Sequence, residues 1–188
     1  MTKKKMEIKV TGENHVNFYS SRIYEEVPHV VISITSCDCD DAYLSTSVGR
    51  KDTLRLKFDD IAFSDQRLLD PVGCKSFMHF LQENMDKLND KEKIEAKKFL
   101  HIIFNESDAR IIKEFVDIWK DKVDMIICHC KAGISRSSAT AAALSEYLEC
   151  GSMEDYFDNP NYSPNQYVYN VLSMVLKGKE LDIKNIDI

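Results

Sequence analysis

Six glycines and four prolines among 188 residues leave no Gly- or Pro-rich stretch that reads as a linker. Residues 1–188 are therefore expected to form a single domain. No apolar run approaches the roughly 20 residues needed to cross a bilayer. The lysines of MTKKKMEIKV are not followed by the apolar core of a secretory signal. A cytoplasmic location with no membrane association is the expectation. Basic charge is also in deficit, with 25 Lys and Arg against 31 Asp and Glu, a net charge of -6. A protein that grips duplex nucleic acid needs a basic face to displace counterions from phosphates, and this composition argues against such a partner. The six cysteines, at 37, 39, 74, 128, 130 and 150, are expected to be thiols in a reducing compartment rather than a disulfide framework.

What the chain does contain is a globular balance of 44% hydrophobic and 30% charged residues. Runs of β-branched and aromatic residues predict strands at 6–10, 30–35, 53–58 and 124–129. Two of them, VVISIT and MIICHC, are almost continuously apolar, as strands buried on both faces are. FLHIIF, at 99–104, fits either a strand or the end of a helix. Helices are expected at 108–120, with Ile111, Ile112, Phe115, Val116 and Trp119 on one face, and at 135–149, ending at Gly151. A last helix is signalled by Ser163 as cap, Pro164 and Gln166, with Val168, Val171, Leu172, Val175 and Leu176 apolar and Gly178 closing it. Strands alternating with helices predict an α/β fold with a central, largely parallel sheet flanked by helices. Residues 83–98 carry ten charges in sixteen residues, five of each sign, the pattern of a solvated helix surface or loop.

The chemistry concentrates in CHCKAGISRSSAT, residues 128–140, between an apolar strand and an Ala-rich helix. A loop at the carboxyl end of a parallel strand, opening a helix, is where α/β folds bind anions. Successive amides from Lys131 to Arg136, by way of Ala132, Gly133, Ile134 and Ser135, can point inward as a nest backed by the helix dipole. Gly133 permits a backbone conformation that a Cβ would obstruct. Arg136 can close over the same anion with two hydrogen bonds from its planar fork. A helix N-terminus and a guanidinium beside Cys130 favour the thiolate, held where the phosphorus of a phosphate monoester would sit. That arrangement describes phosphoryl transfer through a phospho-cysteine intermediate, with no cofactor and no metal.

HCKAGISRS matches the HCxxGxxR[ST] signature of cysteine-dependent protein tyrosine phosphatases, and its AGISRS version resembles the dual-specificity branch. YSPNQYVYNVL is similar to the SPN-containing final helix of that family. TLRLKFDD is similar to the strand whose end supplies the family's general acid. The resemblance spans about residues 29–60 and 108–177, and it implies the phosphotyrosine protein phosphatase II-like fold. It further implies that Cys130 is the nucleophile and that Arg136 binds the phosphate and transition state. Ser137 would donate to the Cys130 sulfur, and His129 would support the thiolate by fixing the loop through hydrogen bonds. The general acid implied by the match is Asp60, with Asp59, Asp65 and Asp108 as alternatives; Asp108 has a competing use at the start of a helix. Asp60 lies farther ahead of Cys130 than in compact members of the family, so an inserted segment near 65–105 must loop out. That segment either covers the site or enlarges the surface.

Other chemistries use similar residues. The pairs Cys37/Cys39 and Cys128/Cys130 raise a zinc site, but structural zinc usually uses C-x₂₋₄-C, and Cys128 is expected to face away from Cys130. Rhodanese and arsenate-reductase chemistry also uses a cysteine loop at a helix start, although low-molecular-weight phosphatases and arsenate reductases carry that loop near the N-terminus. A non-catalytic phosphate-binding module is the alternative from a different class. The expected partner is a phosphorylated protein, phosphotyrosine before phosphoserine or phosphothreonine. Phosphoinositide and RNA 5′-phosphate stand as alternatives, because Lys131 is the one basic residue at the variable loop positions. Tyr162, Tyr167 and Tyr169 are expected in the core or at its rim.

Overall fold

The computed structural model describes residues 6–61 and 87–178. Four strands, β1 (Glu7–Gly12), β2 (His29–Thr35), β3 (Arg50–Lys57) and β4 (Met125–Cys130), form one sheet in the order β1-β4-β2-β3. Every neighbouring pair is parallel. The helices are α1 (Glu13–Phe18), which continues as a π-helical turn over Tyr19–Ile23, then α2 (Asp90–Ile102), α3 (Glu106–Trp119), α4 (Arg136–Tyr147), α5 (Glu154–Phe157) and α6 (Gln166–Leu176). The α/β class expected from the alternation is the one observed, and all four strands overlap the runs that announced them.

β2 and β4 occupy the middle of the sheet, and every residue of both is buried. Strand alternation sorts them between two cores. Val30, Ile32, Ile34, Ile126, Cys128 and Cys130 face the large core beneath α3, α4 and α6. Val31, Met125 and Ile127 face a smaller cluster built on Val16 of α1. Cys128 and Cys130 therefore share a face, as residues two apart in a strand must, which corrects the expectation that they point apart. β3 is an edge strand, and Lys51, Asp52, Arg55 and Lys57 leave it charged and exposed, a device that discourages pairing with another chain.

α4 has no solvent side along residues 136–145, which is why Ala, Ser and Thr dominate it. It is wedged between the sheet and α6, and small side chains permit that approach. Its end differs from expectation. Glu149, at φ 54, takes the left-handed position, and the amides of Cys150 and Gly151 both return to the carbonyl of Ser145, at 3.0 and 3.3 Å. Gly151 lies beyond the turn. Gly178, at φ 71, does occupy the left-handed position after α6.

α3 begins two residues earlier than expected because Asn105 caps it. The Asn105 side chain accepts from the amides of Ser107 and Asp108, and Asp108 reaches back to the amide of Asn105. Ala109, Ile112 and Val116 form its buried stripe, while Ile111 lies off that stripe and is exposed. Residues 99–102 end α2, and Ile103 and Phe104 follow into the core, where Phe104 packs 4.8 Å from Phe58. The described part of the charged stretch, residues 87–98, is the approach to α2 and most of that helix, with Lys91, Glu92 and Lys98 in solvent; residues 83–86 lie outside the described residues. Of the segment near 65–105, residues 65–86 lie outside them too, as does Cys74. Tyr167 and Tyr169 are buried, and Tyr162 packs against the same core.

Candidate functional site

The carboxyl ends of all four strands converge on the loop 131–135. β4 delivers Cys130, which is 3% exposed, and α4 starts at Arg136. The loop folds tightly because two glycines lie back to back. Gly133 sits at φ +77, and a Cβ there would come within 2.5 Å of the backbone of Thr11 and Gly12. A Cβ on Gly12 would in turn lie 2.9 Å from the carbonyl oxygen of Ala132. Side chains at either place would push β1 off the loop. Among the described residues, the amides of Lys131 to Ser135 donate to no protein acceptor, so they remain available as a ring of donors.

Cys130 Sγ lies 3.1 Å from Ser137 Oγ, which is buried in the first turn of α4. Arg136 is 4% exposed and pinned along one edge: Nη1 donates to the carbonyl of Phe58 at 2.6 Å and to Ser36 Oγ at 3.3 Å. Those partners directly follow β3 and β2. Its Nε is buried without a partner, an expensive state for a charged donor that an anion in the loop would relieve.

The three acid candidates among the described residues occupy different places. Asp60 Oδ1 accepts from Ser135 Oγ at 2.7 Å and from Asn165 Nδ2 at 2.9 Å, which ties it to the loop across 75 residues of sequence. Asp59 instead accepts from the amide of Cys37 at 2.9 Å, and its own amide donates to the carbonyl of Ile102. Asp108 is occupied in the cap of α3, where burial raises its pKa. Asp65 lies outside the described residues. The structure thus brings together Cys130, Arg136, Ser137 and Asp60.

His129 is fully buried; its ring approaches the backbone of Cys130, short of full hydrogen-bond geometry, and its side chain leaves the strand on the face away from the thiol. The reason is alternation: adjacent to Cys130 in the strand, it belongs to the opposite face, opposite Thr11 of β1 and Ser33 of β2. Burial holds its pKa down at about 4. His29 is also fully buried; its Nδ1 donates to the carbonyl of Val27 at 2.7 Å and its Nε2 accepts from Ser20 Oγ at 2.8 Å, and its pKa is likewise lowered by burial. A proton that the unfolded chain binds near pH 6.5 is refused by the native protein until lower pH, so stability is full above pH 6.5 and falls as pH drops towards 4. His129 alone accounts for about 2 kcal/mol between pH 7 and 5. Urea midpoints at the two pH values should show the fall, and a smaller one in His129→Gln; equal midpoints would exclude this origin.

Burial pushes the Cys128 thiol up, which makes it an inert core residue. None of the five described cysteines is in a disulfide. Among the described residues no group of three or more His, Cys, Asp or Glu side chains is placed to hold a metal ion. No helix of those residues is long and apolar enough to cross a membrane.

Two contributors escaped the sequence. Glu13, at the start of α1, receives Lys131 Nζ at 3.0 Å, and its amide donates to the carbonyl of Lys131. Asn165 caps α6, accepting from the amide of Val168, where Ser163, Pro164 and Gln166 had suggested a start two residues earlier. The amides of Ser163 and Asn165 donate to the carbonyls of Ile134 and Ser135, so this stretch follows the loop and the helix can begin only beyond it. The SPNQ sequence contained the signal, since Asn caps a helix as well as Ser.

No family model and no curated protein matches the chain. Among solved structures it is similar to PTPMT1, at 16% identity over 92% of this chain and 90% of that one, with a TM-score of 0.46. It is similar to the human tyrosine phosphatase-like serine/threonine/tyrosine-interacting protein, at 15% identity, 86% and 89% coverage and a TM-score of 0.46. A third is the PTP-2 phosphatase of Cydia pomonella, at 17% identity, 92% and 87% coverage and a TM-score of 0.45.

Proposed function

We propose that the chain is a cysteine-dependent phosphatase of the dual-specificity type, a single catalytic domain acting on phosphorylated proteins. The observation that carries this reading is the convergence of Cys130, Ser137, a buried Arg136 with an unpartnered Nε, and Asp60 on one loop of unpaired amides. In the first step the Cys130 thiolate attacks phosphorus, an S–P bond forms, and the ester P–O bond breaks. Asp60 gives its proton to the departing oxygen. In the second, Asp60 takes a proton from water as the water attacks phosphorus, and the S–P bond breaks to release inorganic phosphate. Ser137 stabilises the sulfur as it leaves, while Arg136 and the amides hold the equatorial oxygens, where charge develops. Neither step calls for a metal or cofactor, and a reducing compartment such as the cytoplasm suits the thiol.

Electrostatics at the mouth support a phosphoprotein over a phosphoinositide. Lys131, the one basic side chain among the variable loop positions, has the Glu13 carboxylate as its partner, which offsets the charge it would offer a second phosphate. The deciding experiment compares a phosphotyrosine peptide, a phosphothreonine peptide, a phosphoinositide and an RNA 5′-phosphate, all with chelator present. The peptides, phosphotyrosine first, should be hydrolysed fastest, and acid quenching should trap phosphate on Cys130. Phosphate binding without turnover of any of the four would instead establish the non-catalytic module. Glu13→Gln should raise phosphoinositide turnover by roughly threefold to tenfold, an effect that added salt weakens, because it removes one half-buried negative charge beside Lys131. Unchanged discrimination would remove Glu13 from specificity.

A further inference from the structure

The geometry points to Asn165 as a positioning residue for Asp60, one that decides which carboxyl oxygen carries the proton. The inference rests on the phosphatase reading, in which Asp60 is the general acid. Asn165 is 4% exposed, and both ends of its amide are spoken for. Its Oδ1 accepts from the amide of Val168 at 3.1 Å, which fixes that atom as the oxygen. Its Nδ2 then donates to the carbonyl of Ile61 at 2.9 Å, an acceptor that only an N–H can satisfy, and to Asp60 Oδ1 at 2.9 Å. Reversing the amide would break all three contacts, so its orientation is determined.

Ser135 Oγ donates to the same Asp60 oxygen at 2.7 Å. Two donors therefore fall on Oδ1, and no described residue donates to Oδ2. An oxygen that accepts two hydrogen bonds is the carbonyl-like one in a protonated carboxyl group, so Oδ2 bears the proton and turns towards the leaving oxygen. Asp60 itself is exposed, on the stretch that follows β3, and without these bonds its side chain would populate several rotamers. Asn165 anchors it to α6, whose inner face is packed in the core, and the amide of Asn165 joins the same helix to the carbonyl of Ser135 in the loop. One buried side chain thus aligns acid, loop and helix.

The test uses two substrates that differ in their need for an acid. A phosphotyrosine peptide has a poor leaving group; an aryl phosphate with a strongly acidic phenol leaves almost unaided. Asn165→Ala should lower kcat on the peptide by roughly 10- to 100-fold with KM little changed, and hardly affect the acidic aryl phosphate. In an Asp60→Asn background the same substitution should cause no further loss on either substrate. Asn165→Asp retains an oxygen for the Val168 amide, so it keeps the cap and shows the same substrate dependence if the alanine protein folds poorly. Equal losses on both substrates, or a further loss on top of Asp60→Asn, would mean a structural role and overturn the inference. Wild-type turnover with a substrate-dependent loss in Asp60→Asn but none in either Asn165 variant overturns it alone. No turnover by the wild-type chain overturns the phosphatase reading, and this inference with it.

Discussion

Replacing Cys130 with serine is expected to abolish phosphomonoester hydrolysis, with kcat reduced at least about 1,000-fold. A hydroxyl is far less acidic than a thiol, so serine at this position cannot present an anionic nucleophile at neutral pH. The substitution is nearly isosteric and leaves the Ser137 hydroxyl a partner at the site where it now stands 3.1 Å from sulfur. Folding and phosphate affinity should therefore persist while turnover disappears, which separates a nucleophile from a structural thiol. Cys39→Ser provides the control, because that side chain is exposed and takes no part in the loop. Turnover should be measured on a phosphotyrosine peptide, beside competition by inorganic phosphate. Full activity in Cys130→Ser would sink the covalent mechanism.

Arg136→Lys should lower kcat/KM by roughly 100- to 1,000-fold, the range found when one preorganised oxyanion donor is removed. The charge is kept, so the loss measures geometry. An ammonium cannot hold the Phe58 carbonyl and the Ser36 hydroxyl with one edge while offering a second edge to phosphate, as the guanidinium does. The variant should also unfold at lower urea, because the Phe58 carbonyl is buried and loses its partner. Competition by inorganic phosphate should weaken along with turnover, in contrast to Cys130→Ser. Equal kcat/KM in the lysine protein would show that Arg136 is only a tie between strand ends.

The strand–loop–helix geometry at 130–136 could be read from the sequence because its determinants are contiguous: a strand, one glycine with forced geometry, a cysteine and an arginine within seven residues of each other. β2 and β4 were equally legible, since burial on both faces removes polar alternation. What escaped depends on partners remote in sequence. Asn165 meets Asp60 across 105 positions, and no local pattern distinguishes that use from a simple cap. The start of α6 was misplaced for the same reason, because the carbonyls of Ile134 and Ser135 keep Ser163 and Asn165 out of the helix. Glu149 was overlooked because the residue in the left-handed turn is not the nearby glycine. His129 adjoins Cys130 in sequence, yet strand alternation sends it to the other side of the sheet.

Because Gly12, Ser36, Phe58 and Cys130 each close a different strand, the site is an object of high contact order. Its defining contacts, such as Arg136 with Ser36 across 100 positions, close only after the sheet has assembled. Long-range closures of this kind are formed late and slowly, since their entropy must be given up before any contact compensates it. A partly folded chain would hold the Cys130 loop and still lack both Asp60 beside it and an anchored Arg136. On the proposed phosphatase reading, turnover is a property of the completed sheet, and activity recovered after dilution from denaturant should count native molecules rather than intermediates.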